Sequence, residues 1–334
     1  MKNSKNKRIL TIIIIGASGF LGKSLIEDLL KLKYFKIIAT TRNKFSLSDA
    51  LNIKSNALEI IELDLGNKKD IKRIISPDCV VINLFYNWHN GKIYNLKLMN
   101  NLVDVCSQIK IKRFIHLSTA AVSGKVLDEL ITENTQCNPL TEYGITKLKM
   151  EKILTENAKD YFDCVILRPT SIFGPRGNPL YKLCRDLLDK PMIINFMRSS
   201  LFGLRRMNLV NVRNVTSAII FFVNHNTSFE GDIYIVSDDH HPNNNFNFVE
   251  KLLMKKLSIQ YYKITYLMPC FILNIIFFLM RKNNINPNTN FSSDKLFKFG
   301  FTPPVNFIDG LHEYGDWFRG NNSISSHYFK KNNL

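Results

Sequence analysis

The feature that most constrains the fold is an alternation of short apolar runs with helical patterns in the first half of the chain. Val, Ile and Leu dominate the runs, as expected for strands buried on both faces of a sheet. The predicted strands are Ile9–Ile15, Phe35–Thr41, Leu58–Leu63, Cys79–Leu84, Arg113–Ser118 and Cys164–Arg168. The predicted helices between them are Leu21–Leu32, Ile93–Ile109 and Leu140–Ala158. This order predicts an α/β fold with a doubly wound parallel sheet.

The second half of the chain is less regular. Gly174–Gly177 marks a break, after which Val212–Val223 has a helical pattern and Ile233–Val236 has the pattern of a late strand. The segment His240–Asn247 is polar and is predicted to be a loop. We therefore expect the regular sheet to be built mainly by the first half.

The net charge of +17 permits affinity for a polyanion such as nucleic acid or an acidic membrane surface. The lysines form no single dense block and no nucleic-acid motif is present, which favours charge dispersed over the surface and no nucleic-acid partner. None of the six cysteines forms a Cys-x-x-Cys pair. That pattern indicates a reducing compartment and a cytoplasmic protein, and no metal site is predicted.

Two apolar stretches raise the question of a membrane. The run Ile9–Ile15 follows four basic residues, but it ends in a glycine turn and is better explained as a buried first strand than as a signal peptide. The stretch Ile264–Met280 carries no charge, yet it is short for a span and contains Pro269 and Asn274. It is predicted either to pack within the protein or to lie peripherally on a membrane surface.

The first chemical motif is the glycine-rich turn from Gly16 to Gly22, which follows a predicted strand and opens a predicted helix. Glycines let the backbone turn tightly and approach a pyrophosphate, and the amino end of a helix favours its charge. In this strand–turn–helix setting the turn predicts a dinucleotide site.

The end of the second strand bears on which dinucleotide is bound. NAD sites usually place a carboxylate here, but no acid occurs between Lys36 and Ser48. Arg42, with Lys44 nearby, could instead bind the 2′-phosphate of NADP. The alternative is a solvated loop arginine, and NADP is favoured over NAD. After the third strand, Asp64 and Leu65 are predicted to contact the adenine, although Asp64 could also be a helix N-cap.

The second motif pairs Tyr143 with Lys147, four residues apart on one face of a predicted helix. A neighbouring ammonium stabilises a phenolate and lowers the tyrosine pKa, which suits a general acid or base. Ser118 and Thr119 end a predicted strand, where open α/β sheets bind ligands.

Together these motifs, with Leu167–Pro175, resemble the extended short-chain dehydrogenase/reductases, and more narrowly the NAD-dependent epimerase/dehydratase family acting on nucleotide sugars. The resemblance runs in coarse pattern from about Ile9 to Phe318. It implies a Rossmann-like sheet with a smaller, mostly helical C-terminal substrate lobe. It further implies a dinucleotide-binding domain at 1–174, rejoined by 207–238, a substrate lobe at 175–206 and 239–320, and a tail at 321–334.

The resemblance also implies roles. Tyr143 would exchange a proton with the substrate, Lys147 would hold the nicotinamide ribose and tune Tyr143, and Thr119 would hydrogen-bond the reacting oxygen. The implied cofactor contacts are Gly16, Ser18, Gly19, Phe20, Leu21, Gly22, Arg42, Asp64, Leu65, Leu84, Tyr143, Lys147, Pro169 and Ile172. The implied substrate contacts are Ser118, Thr119, Tyr143 and Arg206, the last being either a diphosphate ligand or an ordinary surface arginine.

The chain also departs from the family pattern. Family 4,6-dehydratases carry an Asp-Glu pair directly after the catalytic Thr, where this chain has Ala120-Ala121, so dehydration is not expected. Ser123 replaces a usual Tyr, and Asn83–His89 replaces smaller residues after the fourth strand. His89 is either a substrate ligand or a loop residue.

The resulting prediction is an NAD(P)-dependent enzyme, with NADP preferred, that reduces a 4-keto group or epimerises C4 of a nucleotide sugar. It leans toward reduction because of Arg42, and a homodimer is compatible with it. One alternative is a hydroxysteroid-type or lipid-type dehydrogenase of the same superfamily, suggested by the apolar 264–280 stretch. Another is a cofactor-binding protein without turnover, against which the intact Tyr/Lys pair argues.

Overall fold

The computed structural model describes residues 9–126, 128–158, 160–260, 266–269, 271–273 and 286–321. The chain divides into two compact units. The first contains Met1–Ser118, Ile145–Leu167 and Ile219–Ile233, and the second contains Thr119–Gly144, Arg168–Ala218 and Tyr234–Leu334.

The main sheet has seven strands, β1 (Leu10–Ile15), β2 (Phe35–Thr41), β3 (Leu58–Glu62), β4 (Val80–Asn83), β5 (Arg113–Leu117), β7 (Asp163–Pro169) and β10 (Asp232–Val236). Their order across the sheet is β10-β7-β5-β4-β1-β2-β3. The pairs whose register is described are parallel. From β1 the chain builds the sheet first toward β2 and β3 and then toward β4, so the ends of β1 and β4 mark the switch point at which such sheets bind ligands.

Helices follow these strands because apolar residues recur at helical spacing in the connecting segments. They are α1 (Phe20–Leu32), α2 (Lys44–Leu51), α3 (Lys68–Ile74), α4 (Gly91–Ile109), α5 (Glu142–Ala158) and α8 (Val212–Asn224). One core of the first unit is packed from Ile13, Val81 and Phe114 of the sheet against Leu102 of α4 and Leu154 of α5.

The second unit has a core of its own between helices. Its helices are α6 (Tyr181–Asp189), α7 (Met192–Phe202), α9 (Phe246–Lys256), α10 (Asp294–Lys298) and α11 (Phe307–Gly320). Leu183, Leu253 and Leu311 bring α6, α9 and α11 together. Two small parallel sheets pair β8 (Ser171–Phe173) with β9 (Leu209–Asn211) and β6 (Leu130–Ile131) with β11 (Asn290–Phe291).

The predicted α/β fold is confirmed, and the predicted strands agree with the observed ones to within a residue at most ends. The predicted loop His240–Asn247 is wrong at its end, because Asn245 caps α9 by accepting a hydrogen bond from Phe248 N at 3.0 Å. The short helices α2 and α3 were not predicted from the sequence. The predicted domain boundaries stay a prediction.

The apolar stretch Ile264–Met280 lies largely outside the described residues, as does the predicted tail apart from Asn321. Within the described part of the chain, no helix combines the length and the apolar character needed to cross a membrane.

Candidate active site

The glycine turn lies where β1 and β4 end side by side. Gly16 has φ +83°, and a Cβ there would come within 3.0 Å of the Phe85 backbone. A Cβ on Gly22 would lie 2.5 Å from Ala17 O, whereas the nearest atom to one on Gly19 is Gly16 O at 3.5 Å. Gly16 therefore permits the turn, Gly22 permits close packing of α1, and Gly19 leaves open space beside the backbone.

The amino end of α1 is the natural anion site of this turn. Gly19 is its N-cap, provides no side-chain cap, and is followed by a first turn without an acidic residue. Ser18 is exposed, while Leu21 is buried in the core. The N–H groups of the first turn are thus available to an anion, and the helix dipole favours one. The residues present fit a dinucleotide pyrophosphate.

A carboxylate lies at the end of β2, but it belongs to Glu62 of the neighbouring strand β3. Glu62 of β3 pairs in register with Thr41, and its Oε1 accepts a hydrogen bond from Lys44 N at 3.0 Å. Arg42 is exposed. The position predicted for a 2′-phosphate is therefore flanked by an acid as well as by Arg42.

After β3, Asp64 closes a local turn by accepting a hydrogen bond from Gly66 N at 2.8 Å. Leu65 is buried in the core. The interpretation of Asp64 as a helix N-cap is wrong, because Asn67 caps α3 through Lys69 N at 3.0 Å.

The loop after β4 is built on an asparagine pair. Asn95 accepts from Asn87 N at 2.8 Å and donates to Asn87 O at 2.7 Å. Asn87 Oδ1 in turn accepts from His89 N, which leaves the His89 side chain exposed at the tip. At the start of the loop, Leu84 N donates to Ile15 O, so Leu84 lies beside the glycine turn.

Lys147 of α5 is a buried cation at the carboxyl end of β5. Its Nζ donates to Leu117 O at 2.8 Å and lies 5.7 Å from the centre of the Tyr86 ring. Burial lowers the Lys147 pKa to about 7, against the opposing effect of the Glu151 charge. Glu151 is itself buried, one helical turn further on, and accepts a hydrogen bond from Ser118 Oγ. The lysine can thus change its charge near neutral pH.

His116, on the same strand, is fully buried. Its Nδ1 lies 3.3 Å from Asn83 Nδ2, and Nε2 has no hydrogen-bond partner within the described structure. Burial first, and the charge of Lys147 second, hold the pKa of His116 well below its usual value. The imidazole is therefore neutral at pH 7, and the positive charge at this end of β5 belongs to Lys147.

Thr119 and the residues after it form a short 3₁₀ turn, Ala120–Val122. Thr119 Oγ1 accepts a hydrogen bond from Ala121 N at 3.2 Å. Its own O–H can still donate to a ligand. Tyr143 is half-buried in the first turn of α5, four residues before Lys147 on the same helix.

The remaining predicted contacts lie in the second unit. Pro169 is buried at the end of β7, and Ile172 in β8 pairs in register with Val210. Arg206 donates to the carbonyls of Asp239, Pro242 at 3.1 Å and His241 at 3.4 Å. These bonds hold the loop before α9, and a role of Arg206 toward a diphosphate stays a prediction.

Four residues of this region were missed by sequence reasoning. Glu151 carried a signal, since it continues the four-residue spacing of Tyr143 and Lys147 on one helix face. Glu62, Tyr86 and His116 carried none, because their positions depend on strand register and loop path.

The model of the NAD dependent epimerase/dehydratase family matches residues 12–237. The chain belongs to this family. The family and the Rossmann-like fold predicted from the sequence are thereby confirmed.

Two similar proteins carry the names of sugar-nucleotide enzymes. An uncharacterized UDP-glucose epimerase, YtcB, of Bacillus subtilis is 28% identical over 207 residues, which cover 55% of this chain and 64% of that protein. A UDP-glucose 4-epimerase of Vibrio cholerae is 24% identical over 245 residues, covering 69% of this chain and 71% of that protein. The matched part thus spans about two thirds of the length of these family members.

A solved structure shows the same fold over nearly the whole chain. The UDP-glucuronic acid 4-epimerase from Bacillus cereus, in complex with NAD, has a TM-score of 0.73 at 20% identity. The superposition covers 96% of this chain and 100% of that one.

Proposed function

We propose that this family member interconverts nucleotide sugars by reversible oxidation and reduction at C4 of the sugar, ending in 4-epimerisation. The observation that carries the proposal is the buried ammonium of Lys147. It donates a hydrogen bond to Leu117 O, and Lys147 lies on the same helix as Tyr143. A buried cation whose pKa is about 7 suits proton transfer at neutral pH. The names of the relatives support a nucleotide sugar as substrate.

In this proposal a nicotinamide cofactor, when bound, supplies the hydride acceptor and donor. The glycine turn and the amino end of α1 would hold its pyrophosphate, with Ser18, Phe20 and Leu21 beside it. Asp64, Leu65, Leu84, Pro169 and Ile172 are proposed as its further contacts. The open space at Gly19 and the uncapped helix end support this assignment.

The protein groups would move one proton. Tyr143 takes the proton from the sugar hydroxyl as it is oxidised and returns it as the ketone is reduced. The Lys147 ammonium stabilises the phenolate, and the Thr119 hydroxyl donates a hydrogen bond to the same sugar oxygen. Ser118 and Glu151 would act through Lys147. Ser118 donates a hydrogen bond to the Glu151 carboxylate, and that carboxylate favours the charged form of Lys147.

Dehydration is not part of the proposal. A 4,6-elimination needs a second acid and base beside the reacting carbons, and Ala120 and Ala121 follow Thr119 in this chain. Methyl groups cannot transfer protons.

For the cofactor we propose NAD, a revision of the preference inferred from sequence. Glu62 supplies a carboxylate at the end of β2, and a carboxylate there favours ribose hydroxyls over a 2′-phosphate. Fluorescence titration with NADH and NADPH tests this. Wild type should bind NADH more tightly, and Glu62→Gln should gain affinity for NADPH. A wild-type preference for NADPH that is lost in Arg42→Ala would instead confirm the sequence-based prediction.

The partners follow from the reaction. A nucleotide sugar is the proposed substrate, with Arg206 as a candidate for its diphosphate. A homodimer, a cytoplasmic location and peripheral membrane contact through 264–280 stay predictions.

The decisive experiment follows sugar isomers and cofactor together. Purified protein is incubated with UDP-glucose or UDP-glucuronic acid and catalytic NAD, and the products are resolved by chromatography. Appearance of the C4 epimer without net NADH supports epimerisation, whereas a parallel incubation in which an added 4-keto sugar consumes NADH or NADPH in equal amount shows reduction. Tyr143→Phe should lower the rate by about 10²–10⁴-fold while cofactor affinity is kept. Retention of more than about a tenth of the rate would contradict the proton-transfer role.

A further inference from the structure

Helix α7 packs Phe196 and Phe202 against the core of its unit, but on the rest of its surface polar side chains face inward and apolar side chains face outward. Asn195 and Ser199 are 3% and 0% exposed. Ile193, Ile194 and Met197, on the opposite side of the helix, are 61%, 41% and 60% exposed. A surface helix of a soluble domain normally has the reverse arrangement. The outward face of α7 is therefore an apolar surface that the described structure leaves in contact with solvent.

Specific polar contacts fix this orientation. The Asn195 amide donates to the last carbonyls of α6, those of Asp186, Leu187 and Lys190, at 3.3 to 3.4 Å. Arg198 of α7 forms an ion pair with Asp186 at 2.7 Å. Lys190 N already donates to Asp186 O, and the Asn195 side chain of α7 adds a donor for the carbonyls at the end of α6. The apolar side has to face outward as a consequence.

The exposed apolar area continues beyond the helix. Met268 N donates to Ser200 O at 2.9 Å, which seats the described residues 266–269 against the end of α7. Tyr266 is 71% exposed and nearby Phe271 is 63% exposed. We define the docking face by its exposed apolar residues, Ile193, Ile194, Met197, Tyr266 and Phe271.

The surroundings of this face are strongly basic. Residues 181–206 contain six basic and two acidic residues, and both acids are in ion pairs, Asp186 with Lys190 and Arg198, and Asp189 with Arg185. Of the described residues on α9, which packs against α7, Lys251, Lys255 and Lys256 follow the buried Glu250, and Lys256 pairs with Asp316. An apolar face within a positively charged region matches an anionic bilayer, which takes up apolar side chains and attracts Lys and Arg.

We propose that the docking face binds the surface of an anionic lipid membrane. Ile193, Ile194 and Met197 enter the boundary between headgroups and acyl chains, and Tyr266 lies at headgroup depth, where its ring and hydroxyl are both accommodated. The basic side chains of the same unit remain at the lipid phosphates. This inference does not rest on the reaction proposed above, and its test has no activity readout.

The test measures co-sedimentation of the full chain with phosphatidylcholine vesicles that contain or lack phosphatidylserine. We expect binding to the serine-containing vesicles, weakened by added salt. The double variant Ile193→Ser, Met197→Ser should lower the partition coefficient by about tenfold or more, equivalent to about 1.4 kcal/mol. The matched control is Phe45→Ser, which removes a 78% exposed ring from α2 in the other unit and should leave binding unchanged.

Other outcomes would overturn the proposal. Absence of wild-type binding, or equal binding of the double variant with an unchanged circular dichroism spectrum, would do so. Wild type that ignores vesicles but forms concentration-dependent dimers, lost in the double variant, would assign the face to a second copy of the chain. As an independent reading, Met197→Trp should add fluorescence to that of Trp88 and Trp317, and brominated lipids should quench the added part. An added part that stays unquenched would equally contradict membrane insertion.

Discussion

Strand β5 holds one buried cation at each end, and the two are bound very differently. At its amino end, Arg113 forms an ion pair with Asp163 at 2.6 Å. Its guanidinium also donates to the carbonyls of Phe222, His225 and Thr227. At its carboxyl end, Lys147 donates to Leu117 O, the one hydrogen bond of its ammonium within the described residues.

The difference distinguishes Arg113, which stabilises the fold, from Lys147, which belongs to the proposed active site. Four of the five guanidinium N–H groups of Arg113 are bonded by groups of the fold itself. The Lys147 ammonium has three N–H donors, of which Leu117 O accepts one, so the others remain available to a ligand. Burial disfavours its charge and lowers its pKa to about 7. Nearby, the buried His116 Nε2 has no hydrogen-bond partner in the described structure.

Removal of each cation in turn should have opposite consequences for stability and for activity. Arg113→Met should lower the free energy of unfolding by about 3–5 kcal/mol, because Asp163 loses its buried partner. Lys147→Met should cost less than half of that, because the native state already disfavours the buried ammonium, while the rate falls at least about 10²-fold. Urea denaturation and initial rates measure both effects. Equal losses of stability would show that the two cations are alike.

The glycine turn contains a structural and a ligand-binding position within a single loop. Gly22→Ala should destabilise the fold by about 1–3 kcal/mol, because its methyl group would lie 2.5 Å from Ala17 O. Gly19→Ala meets nothing closer than 3.5 Å, so it should keep the thermal midpoint and weaken NADH binding instead. Thermal melts and cofactor titrations separate the two effects. A destabilised Gly19→Ala that binds NADH normally would contradict the assigned roles.

The smallest expected effect concerns Glu151. Its charge raises the Lys147 pKa, so Glu151→Gln should lower that pKa further. A lysine is protonated below its pKa, and the loss of activity with rising pH should therefore begin about one unit lower, equivalent to about 1.4 kcal/mol. The profile of kcat/KM against pH measures this. Glu156→Gln, an exposed change on the same helix, is the control, and identical profiles for all three proteins would exclude a role for Glu151.

Much of this molecule could be predicted from local patterns. Runs such as Ile12–Ile15 identify buried strands, and Gly16, Gly19 and Gly22 identify the turn, because backbone conformation there depends on adjacent residues. The spacing of Tyr143 and Lys147 identifies a shared helix face for the same reason. These features repeat with the period of a helix or strand, so a sequence alone determines them.

Other features required the tertiary structure. Glu62 reaches the end of β2 only through the register of β3, and register is set by packing between distant segments. The burial that lowers the Lys147 pKa comes from the loop carrying Tyr86 as well as from α5 itself. The outward apolar face of α7 follows from Asn195 binding the end of α6, whereas an amphipathic pattern alone predicts that its apolar side faces inward. In each case long-range contacts decide where a charge or an apolar surface lies, and local sequence does not encode them.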